Sequence, residues 1–132
     1  MIDLRAASRL LLIGDVHAED ERLARALAHG AAAGVDRVLC VGDVCDGPGD
    51  LDRCVAMLDQ PHVDVVRGNH DRWAAAGRGL EPATYTPGAL AWLATLPPTR
   101  SYQTRLGALL LCHGLGDDDM VRQRSSAPRR DW

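Results

Sequence analysis

The sequence contains no lysine and no phenylalanine, and asparagine occurs only once, at Asn69. All 15 basic side chains are therefore arginine. Codons for Lys, Phe and Asn are AT-rich, so a GC-rich gene explains the three gaps together. An asparagine that survives such a bias invites a question about its task. Without Lys there can be no G-x-x-x-x-G-K-[ST] phosphate-binding loop, which excludes that class of nucleotide-binding module. Basic charge is not in excess: 18 acidic against 15 basic residues leave a net −3. This argues against a nucleic-acid-binding domain, so nucleic acid is expected only as a phosphodiester substrate. No apolar run approaches the roughly 20 residues needed to cross a bilayer. The start, Met1-Ile2-Asp3, lacks the basic and apolar regions of a signal peptide, and the expected location is the cytoplasm. The four cysteines, Cys40, Cys45, Cys54 and Cys112, contain no C-x-x-C pair. They read as buried thiols of a reducing compartment, not as a zinc site.

What is present describes one folded domain. The 132 residues are 46% apolar and 25% charged, which excludes a disordered or collagen-like chain. Arg9 to Ile13 is a compact apolar run closing in Gly14-Asp15 and reads as a buried strand. Glu19 to Ala33 has apolar residues at helical spacing, an acidic first turn and Gly34 as a stop. Arg37 to Val41 is a second strand, closing in Gly42-Asp43. A Gly-Pro-Gly loop follows, and Asp50 is placed to cap a helix running to about Asp59. Val63 to Arg67 is a third strand, closing in Gly68-Asn69-His70. Short helices are expected from Asp71 and over Gly88 to Thr95. Ser101 to Leu106 and Ala108 to Cys112 flank Gly107 as a hairpin whose last strand closes in His113-Gly114. The expected class is α/β: a parallel βαβαβ core with antiparallel strands added afterwards. Residues 1–116 form the domain, and 117–132 read as a disordered tail.

In such sheets ligands bind beyond the carboxyl ends of the strands. Here those ends carry Asp15, Asp43, Asn69 and His113. Residues two apart in extended chain point the same way, so Asp15 and His17 can face one cation. Asp43 adds a second carboxylate, and two converging carboxylates repel unless a cation lies between them. The Asn69 amide oxygen is a neutral ligand, and His113 offers a nitrogen. His70 is left for substrate, with Asp71 as a candidate to orient its imidazole. Arg72 is a candidate phosphate contact.

Together, Gly14-Asp15-Val16-His17, Gly42-Asp43-Val44-Cys45-Asp46-Gly47, Gly68-Asn69-His70-Asp71 and Cys112-His113-Gly114 resemble the calcineurin-like metallophosphoesterases, in particular their small bacterial and archaeal phosphodiesterase-like members. The resemblance covers the chain to about Gly116. It implies hydrolysis of phosphomonoesters or phosphodiesters at a dinuclear centre. Asp15 and His17 would bind the first metal and Asp43 would bridge. Asn69 and His113 would bind the second, and His70 would contact phosphate and assist the leaving group. Mixed Asp, Asn and His ligation without thiolate suits Mn, Fe, Zn or Ni.

The family pattern ends in a Gly-His-x-His block, whereas no histidine follows His113 here. The chain therefore reads as a C-terminally truncated member whose sheet lacks its last strands. The competing expectation is a catalytically weak scaffold on the same fold, acting as an interaction module. A sheet that lacks strands has an open edge, so a homo-oligomer is an expected partner state.

Overall fold

The computed structural model describes residues 1–80 and 84–121. The parallel core follows the sequence closely. Strand β2 (Leu10–Ile13), helix α1 (Asp20–Ala32), strand β3 (Arg37–Cys40), helix α2 (Leu51–Leu58) and strand β4 (Val63–Val65) alternate as expected. The strands lie side by side in that order, all parallel. Asp50 caps α2, its carboxylate accepting the Arg53 amide at 3.0 Å. The remaining elements are β1 (Ile2–Asp3), α3 (Asn69–Ala75), α4 (Pro87–Thr95), β5 (Thr99–Thr104) and β6 (Gly107–Cys112).

Two features differ from the expectation. The hairpin β5–β6 does not extend the parallel sheet. It forms a second sheet with β1, in the order β1-β5-β6. The reason is the inner face of the first sheet. Leu39 and Val66 bury against Leu4, Tyr102 and Leu111, making a second core between the sheets. The other face of β3 and β4, through Val38, Cys40, Val63 and Val65, packs with Leu23, Leu51, Leu58 and Leu93 of the helices. Helix α3 also begins two residues before the expected Asp71. Gly68 lies at its N-cap, and the Asp71 carboxylate reaches back to the Gly68 amide at 2.9 Å.

A polar tie crosses the inter-sheet core. Arg37 donates two bonds to Asp64, at 2.8 and 2.9 Å, and the Tyr102 hydroxyl donates a third at 2.7 Å. Burial pushes the Asp64 carboxyl up, but the bonds from Arg37 and Tyr102 outweigh it, and the net shift is below the usual 3.8. A carboxyl depressed on folding contributes stability above its unfolded pKa and loses it as pH falls through the folded value. The melting temperature is therefore expected to fall as the solution is acidified below about pH 4. Asp64→Asn should be less stable at neutral pH and should flatten the acid limb. Parallel melting curves from pH 7 to 2.5 for the two proteins would contradict this.

Among the described strands β2 is an edge, and its Leu12 is 67% exposed on the face toward the second sheet. Residues 117–121, placed by the sequence in the tail, fold back onto the domain. Leu115 pairs with Asp118, and Asp119 pairs with Arg72. The rest of that expected tail, residues 122–132, lies outside the described residues. Among the described residues no helix is long and apolar enough to cross a membrane.

Candidate metal centre

The carboxyl ends of β2, β3, β4 and β6 open into a cleft of about 590 Å³. It is lined by Asp15, His17, Asp43, Asn69, His70, His113 and the segment carrying Asp119. The sequence-derived ligand candidates thus meet in one place.

Their geometry centres on Asp43. Its Oδ1 accepts the His70 backbone amide at 3.0 Å. Its Oδ2 lies 3.4 Å from His113 Nε2 and 3.7 Å from His17 Nε2. Both imidazoles are held from behind by backbone carbonyls: His17 Nδ1 by Cys45 at 2.9 Å, and His113 Nδ1 by Val41 at 2.8 Å. A carbonyl can only accept, so each Nδ1 carries the proton and each Nε2 lone pair turns into the cleft. His113 Nε2 is also 3.0 Å from Asn69 Oδ1. Asp15 completes the set, 3.7 Å from His17 and 4.0 Å from His113. Two groups of three could each hold an ion: Asp15, Asp43 and His113, and His17, Asp43 and His70. Asp43 belongs to both.

The backbone is bent to produce this arrangement. His17 and Asp43 have φ of 45° and 50°, a left-handed conformation uncommon outside glycine. Gly42 and Gly68 let the ends of β3 and β4 touch. A Cβ on Gly68 would lie 2.1 Å from Asp43 Oδ1, so only glycine leaves room for that carboxylate. The field in the cleft is negative. Burial works against a charged His17, but the Cys45 carbonyl and the Asp43 and Asp15 carboxylates outweigh it and raise its proton affinity. The same field attracts a metal cation.

Two sequence-derived roles are corrected. Asp71 does not orient His70. It is fully buried beneath the cleft, where it accepts the amides of Val44 at 2.8 Å, Cys45 at 3.3 Å and Gly68 at 2.9 Å. Neighbouring residues on a helix point about 100° apart, so Asp71 and the His70 ring face different ways. The residue that meets His70 is Asp46, whose buried carboxylate lies 2.8 Å from Nδ1. The His70 ring stands 5.0 Å from that of Trp73 and 5.0 Å from that of His17. Arg72, expected to touch phosphate, instead forms a paired bond to Asp119 at 2.7 and 2.9 Å. Asp119 lies in the segment that the sequence reads as tail. Its place on the cleft wall depends on a partner 47 positions away.

The fold and the clustered side chains define a candidate metal-binding cleft at the strand ends of a two-sheet α/β domain. The chain belongs to the calcineurin-like phosphoesterase family, which residues 8–131 match. Among solved structures it is similar to a metallophosphoesterase from Sphaerobacter thermophilus. That similarity has 30% identity and a TM-score of 0.57, over 70% of this chain and 42% of the other. It is also similar in fold to Yfce, a phosphoesterase from E. coli, with 20% identity and a TM-score of 0.59, over 82% of this chain and 58% of the other. The chain spans about half the length of these structures.

Proposed function

We propose that the protein hydrolyses phosphomonoesters or phosphodiesters with two divalent cations, drawn from Mn, Fe, Zn or Ni, held by Asp15, His17, Asp43, Asn69 and His113. The observation that carries this reading is the set of lone pairs converging on Asp43 Oδ2. Two backbone-locked imidazoles face that atom, the Asn69 oxygen stands 3.0 Å from one of them, and among the described residues no cationic side chain lines the cleft. Such a donor set fits first-row divalent ions. Cations held there would supply Lewis acidity toward the phosphoryl oxygens and would lower the pKa of a water nucleophile.

The chain's own groups do the rest. Asp43 is held by the His70 amide, so its free oxygen stays directed at both imidazoles. Asp46 keeps the His70 Nδ1 proton in place, which leaves Nε2 free to carry a proton to the departing alkoxide. The test is hydrolysis of 4-nitrophenyl phosphate and bis(4-nitrophenyl) phosphate with added Mn. Metal-dependent turnover of either supports the reading. No turnover with any of the four metals overturns it.

Arg72 contributes little to phosphate binding in this reading, because its guanidinium is already paired. Arg72→Ala is expected to change KM by less than about fivefold, the range of a partly exposed ion pair. A rise of KM well beyond that would make Arg72 a substrate contact after all.

A further inference from the structure

We propose that Tyr85 is a positioning residue for the proton transfer assigned to His70, clamping Asp46 so that its carboxylate holds the imidazole on target. The inference rests on the phosphoesterase reading and goes beyond it. Tyr85 lies between α3 and α4, 39 positions from Asp46. Its hydroxyl makes two bonds to that one residue. It donates to Asp46 Oδ1 and accepts the Asp46 backbone amide at 3.0 Å. Asp46 Oδ2, the other carboxylate oxygen, is the atom that meets His70 Nδ1.

The clamp answers a mechanical problem. Asp46 sits in a left-handed backbone conformation, φ 64°, in the loop after β3. Asp tolerates that region better than most residues, but it is still strained. Without Tyr85, the bond that Oδ1 keeps among the described residues is the Leu80 amide at 3.3 Å, and the Asp46 amide loses the Tyr85 hydroxyl. The carboxylate could then turn, and the imidazole with it. The Tyr85 ring packs against the helical core, so the hydroxyl is delivered from a fixed base. Burial and the adjacent Asp46 push the Tyr85 hydroxyl well above its ordinary value, so it remains a donor. Tyr85 touches no reacting atom in this arrangement. Its effect passes through Asp46 to His70.

Tyr85→Phe keeps the ring and removes both bonds. The readout is leaving-group dependence with Mn present, comparing 4-nitrophenyl with phenyl esters. The good leaving group departs with little protonic help, so its kcat should stay within about twofold. The phenyl ester depends on His70 and should slow about tenfold or more. An equal change for both esters would overturn the proposal. A second readout needs no activity: the His70 Nδ1–H resonance in ¹H–¹⁵N spectra of the metal-free protein should move or broaden in the variant. An unmoved resonance also overturns it. If the wild-type protein turns over neither ester, the phosphoesterase reading fails, and the resonance alone decides the clamp. If the variant does not fold, the wild type decides: a slowly exchanging Tyr85 hydroxyl proton close to the Asp46 amide supports the clamp, and its absence refutes it.

Discussion

Asp43→Asn is expected to abolish tight divalent-cation binding and to lower Mn-dependent phosphoester hydrolysis by about 10³-fold. That corresponds to several kcal/mol of charge stabilisation in the transition state. The substitution is nearly isosteric. Its carbonyl oxygen can still accept the His70 amide that now bonds Asp43 Oδ1 at 3.0 Å. What replaces Oδ2 is an NH₂ group facing the Nε2 atoms of His17 and His113, which lie 3.7 and 3.4 Å away. Two donor hydrogens then occupy the point where a cation needs an anion. The metal-free variant should melt no lower than the wild type, because it removes a carboxylate from a negatively charged cleft. Calorimetric titration with Mn, a hydrolysis assay and metal-free melting curves separate these effects. A variant that binds Mn normally would show that Asp43 does not bridge.

Asp71→Ala is expected to be the most destabilising single change in the described domain, by about 3 kcal/mol or more. Its carboxylate is fully buried and accepts three backbone amides, those of Val44, Cys45 and Gly68. Truncation leaves all three buried donors without a partner, at about 1 kcal/mol or more each. Burial raises the proton affinity of Asp71, so the variant recovers part of the cost of that charge. The orphaned amides and the cavity outweigh it. For a domain of this size the melting temperature should fall by about 10 °C. The same amides belong to the turns that place Asp43 and Asn69, so cation affinity should weaken as well. Denaturant unfolding at neutral pH checks the first effect. A loss well below 1 kcal/mol would mean that water satisfies those amides.

The two carboxylates also show what the sequence could and could not convey. Asp71 stands next to His70 in the chain, and adjacency suggested a shared task. Helical geometry separates their side chains, and Asp46 reaches His70 through a left-handed loop that no local pattern announces. The parallel core was legible because each of its strands is a short apolar run closing in a glycine and a polar ligand. Asp50, followed by an amphipathic run, marked α2 in the same way. The second sheet was not legible. Strand β1 is two residues long and pairs with β5, a hundred positions later in the chain. The polar Asp64 between two valines gave no hint that Arg37 and Tyr102 would bury it between sheets. The metal-ligand candidates were readable residue by residue. The carbonyl locks behind His17 and His113 were not, because they come from Cys45 and Val41 in the loop after β3.

The central claim is that the strand ends build one cation-binding centre around Asp43. The most direct measurement is the metal content of the protein after Mn loading and removal of free ion, with Asp43→Asn treated alongside. Two ions per chain in the wild type, and a clear loss in the variant, are the expected result. Substoichiometric metal in the wild type, or equal content in both proteins, would contradict it.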